Sequence, residues 1–118
     1  MKEKNYRYHC KYYVDGSKRE EMWVRRYNPE TNYTSYHLIH IEGDEYELYR
    51  EDYENPVFIA YLPDGYVYRS IYLKDGKLHR TDGPAVSLSL PNFGENVIQY
   101  FIEGCQVQND DSRLNVLS

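Results

Sequence analysis

Between Glu42 and Glu54 the chain sets seven carboxylates, Glu42, Asp44, Glu45, Glu47, Glu51, Asp52 and Glu54, among three tyrosines, Tyr46, Tyr49 and Tyr53. An acidic field of that density repels nucleic-acid phosphate and attracts a basic protein surface. The tyrosines add rigid rings that lose little entropy on docking and keep a hydroxyl for hydrogen bonding. These ten residues form the candidate partner-binding set. Reversing Glu45, Glu47, Glu51 and Asp52 to Lys is expected to abolish binding and leave the fold intact. The plainer reading of the same run is a solvated edge that keeps a sheet soluble and blocks edge-to-edge pairing.

The other chemistry-bearing residues do not assemble. Cys10 and His9 are neighbours on an expected strand, so their side chains point to opposite faces. His37 and His40 are three apart, which on a strand separates them in the same way and argues against a shared metal ion. His79-Arg80-Thr81-Asp82 has the outline of a kinase catalytic loop. The Gly-rich loop, the β3 lysine and the necessary length are all missing, so it reads as a turn in which Asp82-Gly83 bends the chain and Arg80 pairs locally. There is no phosphate-binding loop, no dinucleotide fingerprint and no CxxC. No catalytic residue, metal or cofactor is expected, and the chain reads as a non-enzyme.

Charge is laid out in blocks. Residues 1–27 carry eight Lys/Arg against four acids, residues 28–64 nine acids against Arg50 alone, and residues 65–118 are near balance, for a net charge of −5 over 118 residues. That length suits one domain with a shallow core, here expected over 1–108 with a polar tail at 109–118. Tyrosine supplies 15 residues against three Phe and one Trp. A surface of rings with wet hydroxyl tips fits a twisted sheet of shallow burial better than a two-layer sandwich. Trp23, between Met22 and Val24, is either a core anchor or an interface hot spot. No run approaches the roughly 18 apolar residues of a membrane span, and Met1 to Lys11 is unlike a signal peptide. Cys10 and Cys105 are too few for a disulfide framework and read as small buried residues of a cytoplasmic protein, able to meet only if the sheet closes on itself.

Turns set the architecture. Leu48-Tyr49-Arg50-Glu51-Asp52 with Pro56-Val57 is answered by Leu78-His79-Arg80-Thr81-Asp82 with Pro84-Ala85. Leu62-Pro63-Asp64-Gly65 is answered by Leu90-Pro91-Asn92-Phe93-Gly94, and Tyr72-Leu73-Lys74-Asp75-Gly76 by Tyr100-Phe101-Ile102-Glu103-Gly104. Self-similarity of this kind means that one supersecondary unit is stacked on the next. Acid–Gly pairs at Asp15-Gly16, Glu42-Gly43, Asp75-Gly76 and Glu103-Gly104 extend the repeat in weaker form, spaced by 27, 33 and 28 residues. Gly16, Gly43, Gly65, Gly76, Gly83 and Gly104 all follow an acid and are expected to carry the positive φ of tight hairpins. A further turn falls at Asn28-Pro29-Glu30-Thr31-Asn32. Between turns the period is two, as in Tyr6-Arg7-Tyr8-His9-Cys10-Lys11-Tyr12. The expected fold is an all-β antiparallel meander of repeated β-hairpins, about seven strands in three two-strand units preceded by an N-terminal strand. Asp44 to Glu54 also carries a helical pattern, with Asp44 as N-cap and Tyr46, Tyr49 and Tyr53 on one face, but the repeat alignment favours strand and turn. Arg113 to Leu117 could add one helical turn, or the tail could fray.

Lys77-Leu78-His79-Arg80-Thr81-Asp82-Gly83-Pro84-Ala85-Val86, entered through Tyr72-Leu73-Lys74-Asp75-Gly76, resembles the "LHRxDGPA" repeat of MORN-like proteins in phages, giant viruses and bacteria. The unit at 72–86 matches closely and the others are degenerate: at Leu48, Tyr49 replaces the His and Tyr53-Glu54-Asn55 replaces the Gly before Pro56. The resemblance implies a hairpin meander, a phage, viral or bacterial source and a non-enzymatic scaffold, without implying one partner. Together with the acidic, tyrosine-rich run, it leads to the expectation of a phage or mobile-element inhibitor of a host defence nuclease or other nucleic-acid-handling protein. Three alternatives are an immunity protein or antitoxin, a structural module that dimerises through sheet edges, and a single-strand nucleic-acid binder using Arg7, Lys11, Lys18, Arg19, Arg25 and Arg26. The net negative charge disfavours the last.

Overall fold

The computed structural model describes residues 6–31, 38–92, 94 and 96–115. Eleven short strands are found there: β1 Tyr6–Tyr12, β2 Lys18–Arg26, β3 Ile39–Ile41, β4 Asp44–Leu48, β5 Phe58–Tyr61, β6 Val67–Ile71, β7 Leu73–Lys74, β8 Lys77–Leu78, β9 Val86–Leu88, β10 Val97–Ile102 and β11 Cys105–Val107. Every pairing is antiparallel, the sheet does not close into a barrel, and a 3-10 turn at Pro29–Thr31 is the one helical element among the described residues. Asp44 to Leu48 is strand followed by turn, as the repeat requires. The strands outnumber the seven or so expected because the tight hairpin of each unit is paired separately from its long one.

The turns fall into two chemical classes. At Glu42-Gly43, Asp75-Gly76 and Glu103-Gly104 both residues have positive φ, 53° and 88°, 51° and 78°, 47° and 87°. These are the two-residue turns whose twist matches the flanking strands, so the acid as well as the glycine sits in the left-handed region. At Asp15-Gly16 and Asp64-Gly65 only the glycine does, at 91° and 92°. Here a three-residue loop is closed by Tyr13 N–H to the Ser17 carbonyl and Leu62 N–H to the Tyr66 carbonyl, both 2.8 Å. The Asp side chain accepts the N–H two residues on, from Ser17 and Tyr66, at 2.9 Å. Asp15-Gly16 therefore belongs with Asp64-Gly65 and not with the acid–Gly pairs its spacing suggests. Gly83 departs from the expectation altogether, because it is buried and its φ is not positive. A Cβ there would lie 2.9 Å from Arg80 Nη1. The position is a glycine because an arginine occupies the space.

The repeat is sharper in three dimensions than in sequence. Trp23 donates its N–H to the Val57 carbonyl and accepts Tyr49 N–H at its own carbonyl, both at 2.9 Å. Tyr72 does the same with Ala85 (2.8 Å) and His79 (3.2 Å). Arg50 lies over the Trp23 ring at 4.0 Å and donates to the Pro56 carbonyl at 2.9 Å. Arg80 lies over the Tyr72 ring at 4.0 Å and donates to the Pro84 carbonyl at 3.3 Å. Tyr100, opposite Val107, is the corresponding residue of the third unit, where β11 is the one branch present among the described residues. Each unit is thus a hairpin (β1–β2, β5–β6, β9–β10) whose second strand runs on past the fork into another pairing, with β4, within β7–β8, or with β11. Trp23 is the fork residue of the first unit.

At the first two forks the sheet divides. One edge of β2 is shared, β4 pairing Val24 to Arg26 and β5 pairing Glu20 to Met22, while β1 takes the other edge along its whole length. The rest follows as β5, β6, β9, β10, β11, with β3 outside β4. Met22, Val24, Ile41 and Tyr46 form a small core on one face, flanked by Ile39, Leu48 and Phe58. Val57 and Ala85, equivalent residues after the prolines, are fully buried. The molecule is thin, 47 × 38 × 23 Å, as the tyrosine content implies.

Two expectations need correction. The cysteines are not both buried: Cys10 is half-buried, Cys105 is exposed and both are free thiols, because an open sheet keeps β1 and β11 apart. The described part of the tail forms neither a helix nor a frayed end. Asp111 and Arg113 pair at 2.8 Å, and Asn115 N–H reaches the Thr81 carbonyl at 2.6 Å, tying the tail to the second unit.

Candidate functional site

The acidic run divides according to which residues the fold neutralises. On β4, Glu47 is 3% exposed and pairs with Arg25 Nε at 3.1 Å, and Arg25 also stacks over Tyr49 at 4.0 Å. Tyr46 belongs to the core and Tyr49 is half-buried against Tyr6, ring centroids 5.5 Å apart. Glu42 pairs with Arg7 and Asp44 with Arg26, both at 3.5 Å, and Glu45 lies 3.9 Å from His40. His37 lies outside the described residues, so its relation to His40 is not described. Past Leu48 the situation reverses. Glu51, Asp52, Tyr53 and Glu54 are all exposed on the loop between β4 and β5, with no cation at ion-pair distance from the three acids among the described residues. Among the described residues Asp52 is engaged by Asn55 alone. Tyr53 is steadied from behind by Lys74 Nζ at 4.8 Å from its ring and by the edge of His79 at 5.9 Å. The structure brings together 51–54 as an acidic loop around a braced tyrosine, and draws Tyr46 and Glu47 away from any docking face.

Of the basic residues on the first two strands, Arg19 is exposed and makes no ion pair among the described residues, and the other five are spent in pairings within the fold. Arg7, Lys11, Lys18, Arg25 and Arg26 each face a carboxylate, respectively Glu42, Glu20, Glu21, Glu47 and Asp44. A strip meant for phosphate would leave such cations open.

Sequence reading did not single out Glu21. Its buried carboxylate accepts the hydroxyls of Tyr8 and Tyr61 and lies 3.3 Å from Lys18 Nζ. Burial opposes its ionisation, yet the Tyr61 and Tyr8 hydroxyls and Lys18 prevail and its pKa is lowered. Burial, then the bond to Glu21, pushes the Tyr61 hydroxyl up to about 12 and raises that of Tyr8 as well. The carboxylate stays charged and the phenols stay protonated around neutrality, so none of the three is poised to exchange a proton there. The cluster ties β1, β2 and β5 together. Its only trace in the sequence is an acid where strand alternation faces it to two tyrosines.

His79, the landmark of the repeat, is buried and accepts Glu103 N–H at Nδ1, 2.9 Å. Burial first, then Lys74, lowers its pKa below 6.5, with Glu103 opposing. The neutral ring is therefore the folded form, and the unfolded chain binds the extra proton. The resulting stability is fully present above about pH 6.5 and is lost as pH falls through the depressed native value. Thermal melts should show Tm declining from pH 7 toward pH 5, while His79→Phe starts lower at pH 7 but is flat over that interval. Parallel profiles for the two proteins would refute the assignment.

No group of three or more His, Cys, Asp or Glu is gathered for a metal ion among the described residues. No helix there is long and apolar enough to cross a membrane. No family model, no curated protein and no solved structure matches the chain.

Proposed function

We propose that this protein is a non-enzymatic binding module that docks on a basic protein surface through the loop at 51–54. The observation that carries the reading is the division within the acidic run: Glu42, Asp44 and Glu47 face the fold's own arginines, while Glu51, Asp52 and Glu54 are left without one around Tyr53. A surface that spends nearby arginines on Glu42, Asp44 and Glu47 and leaves these three unpaired presents a charge for something else to meet. Tyr53 supplies the anchor, 38% exposed and already braced by Lys74 and His79, so it loses little freedom on binding. At finer grain, the row of carboxylates and the MORN-like repeat support an inhibitor, carried by a phage or mobile element, of a host nucleic-acid-handling protein whose groove normally takes phosphates.

The test is retention of host-lysate proteins by tagged wild type, by Glu51→Lys/Glu54→Lys with Tyr53→Ala, and by a control with the same charge change at Glu30→Lys/Asp110→Lys. A basic nucleic-acid-handling protein is expected to be retained by wild type and control, and to fall at least about tenfold with the loop variant. Retention should also weaken as salt rises. Equal retention by the loop variant would exclude this surface.

A further inference from the structure

Among the described residues the array of units has an unpaired strand edge on its first and on its last hairpin, and the two edges match. On the shared edge of β2 lies β5, with Glu20 opposite Ala60, Glu21 opposite Ile59 and Met22 opposite Phe58. On the same edge of β6 lies β9, with Arg69 opposite Leu88, Ser70 opposite Ser87 and Ile71 opposite Val86. In the third unit the forks align these positions with Val97, Ile98 and Gln99 of β10, and among the described residues no strand covers them. Val97 and Ile98 are 41% and 45% exposed there. An open cleft of about 310 Å³ runs alongside, lined by Ile98 to Tyr100 and by Gln106 to Asn109 of the returning segment.

The strand that fills this place inside the molecule is always the first strand of the following unit. The chain has one such strand whose own outer edge is free among the described residues, β1. Hairpin registers make His9, Cys10 and Lys11 the counterparts of Phe58, Ile59 and Ala60, and of Val86, Ser87 and Leu88. Backbone direction agrees as well. Ser89 N–H bonds the Tyr68 carbonyl at 2.8 Å, so Tyr68 and Ser70 aim their backbone groups at β9, and Ile98 as the counterpart of Ser70 aims its groups at the open edge. By the same alternation Cys10, the counterpart of Ile59, aims its groups outward from β1. Among the described residues, five of the nine large exposed apolar residues lie on these two strands, Tyr6, Tyr8, Tyr12, Val97 and Ile98, which concentrates unburied apolar surface on the two edge strands.

We propose that a second copy of this chain completes the array, β1 of one copy adding to the open edge of β10 of another with Lys11 opposite Val97, Cys10 opposite Ile98 and His9 opposite Gln99. Gln108 stands where Arg50 and Arg80 stand in their units, and its amide replaces their guanidinium as the donor to the incoming strand. The contact repeats the internal junction and is heterologous, so it propagates head to tail instead of closing a two-fold dimer. A ladder of three residue pairs is short, which makes the association weak and dependent on concentration. This inference uses the two edge strands and does not rest on the acidic loop.

Sedimentation velocity at rising concentration tests it. The wild type should gain mass progressively between about 10 μM and 1 mM. Ile98→Pro and Cys10→Pro each remove an N–H from one outer edge, where proline is tolerated, and each alone should remain a monomer. Mixed together they should form a 1:1 dimer that grows no further, because one supplies the only working β1 and the other the only working β10. If circular dichroism shows either proline to unfold its hairpin, Ile98→Lys and Cys10→Lys block the same edges by charge. A wild type that stays monomeric throughout, an edge variant that assembles like wild type, or a folded pair that fails to combine would each overturn the proposal.

Discussion

Replacing Glu47 by lysine is expected to unfold the protein, not merely to unpair a surface. The carboxylate is 3% exposed and bonds Arg25 Nε at 3.1 Å, while the guanidinium of Arg25 stacks over Tyr49 at 4.0 Å and Tyr49 stacks on Tyr6. Lysine would set a second cation against a half-buried arginine and bury it without a partner. Losing one member of a buried pair costs about 3–5 kcal/mol, and adding like charge costs more. Against a total of about 5–15 kcal/mol, that removes much of the stability of a domain this size. Thermal melts should show Tm lower by at least about 10 °C or no cooperative transition, while Glu51→Lys, a few residues on in the exposed loop, stays within about 2 °C of wild type. A folded Glu47→Lys protein with unchanged Tm would show that Arg25 and Tyr49 need no carboxylate between them. The same reasoning revises the expectation that Glu45, Glu47, Glu51 and Asp52 can be reversed together with the fold intact: the reversal has to leave Glu47 out.

Why Glu47 looks like Glu51 in the sequence is instructive. On the strand from Asp44 to Leu48, alternation puts Tyr46 and Leu48 on one face and Glu45 and Glu47 on the other, which reads as a buried side and a wet side. The wet side is in fact partly roofed, because Tyr6 from β1 and Arg25 from β2 lie across it. Those partners are 41 and 22 residues away, and no local pattern reports them. The acidic density at 42–54 was legible, but the arginines that meet three of its seven carboxylates sit on β1 and β2 and become visible only with the register. Local chemistry, by contrast, was written plainly. The acid–Gly turns fixed the hairpins, and the duplicated Leu-x-Arg-x-Asp with its proline fixed which segments correspond. Trp23 escaped the alignment for a reason of length. In the second and third units the strand returns after two turn residues, whereas in the first the chain leaves after Arg26 and comes back at Asp44, so the equivalence of Trp23 with Tyr72 is spread over a detour that sequence comparison does not bridge.

That equivalence carries a thermodynamic consequence at Arg80 and Gly83. Arg80 stacks over Tyr72 and donates to the Pro84 carbonyl, a cation–π contact and a charge-assisted bond made together by one planar group. Arg80→Ala should cost about 2–3 kcal/mol, and Arg80→Lys should recover less than half, since an ammonium cannot stack and fork at once. Gly83→Ala alone should cost about 1 kcal/mol or more, because the new Cβ would meet Nη1 at 2.9 Å and Cζ at 3.0 Å in a side chain already pinned by the ring and the carbonyl. If the arginine is the whole reason for the glycine, the two costs do not add. In the Arg80→Ala background the space is empty, φ is not in the left-handed region, and Gly83→Ala should be neutral or stabilising by up to about 1 kcal/mol through the unfolded chain. Chemical denaturation of the four proteins gives the coupling directly, expected at about 1–2 kcal/mol. Simple additivity would mean that Gly83 is held by its backbone and not by the arginine beside it.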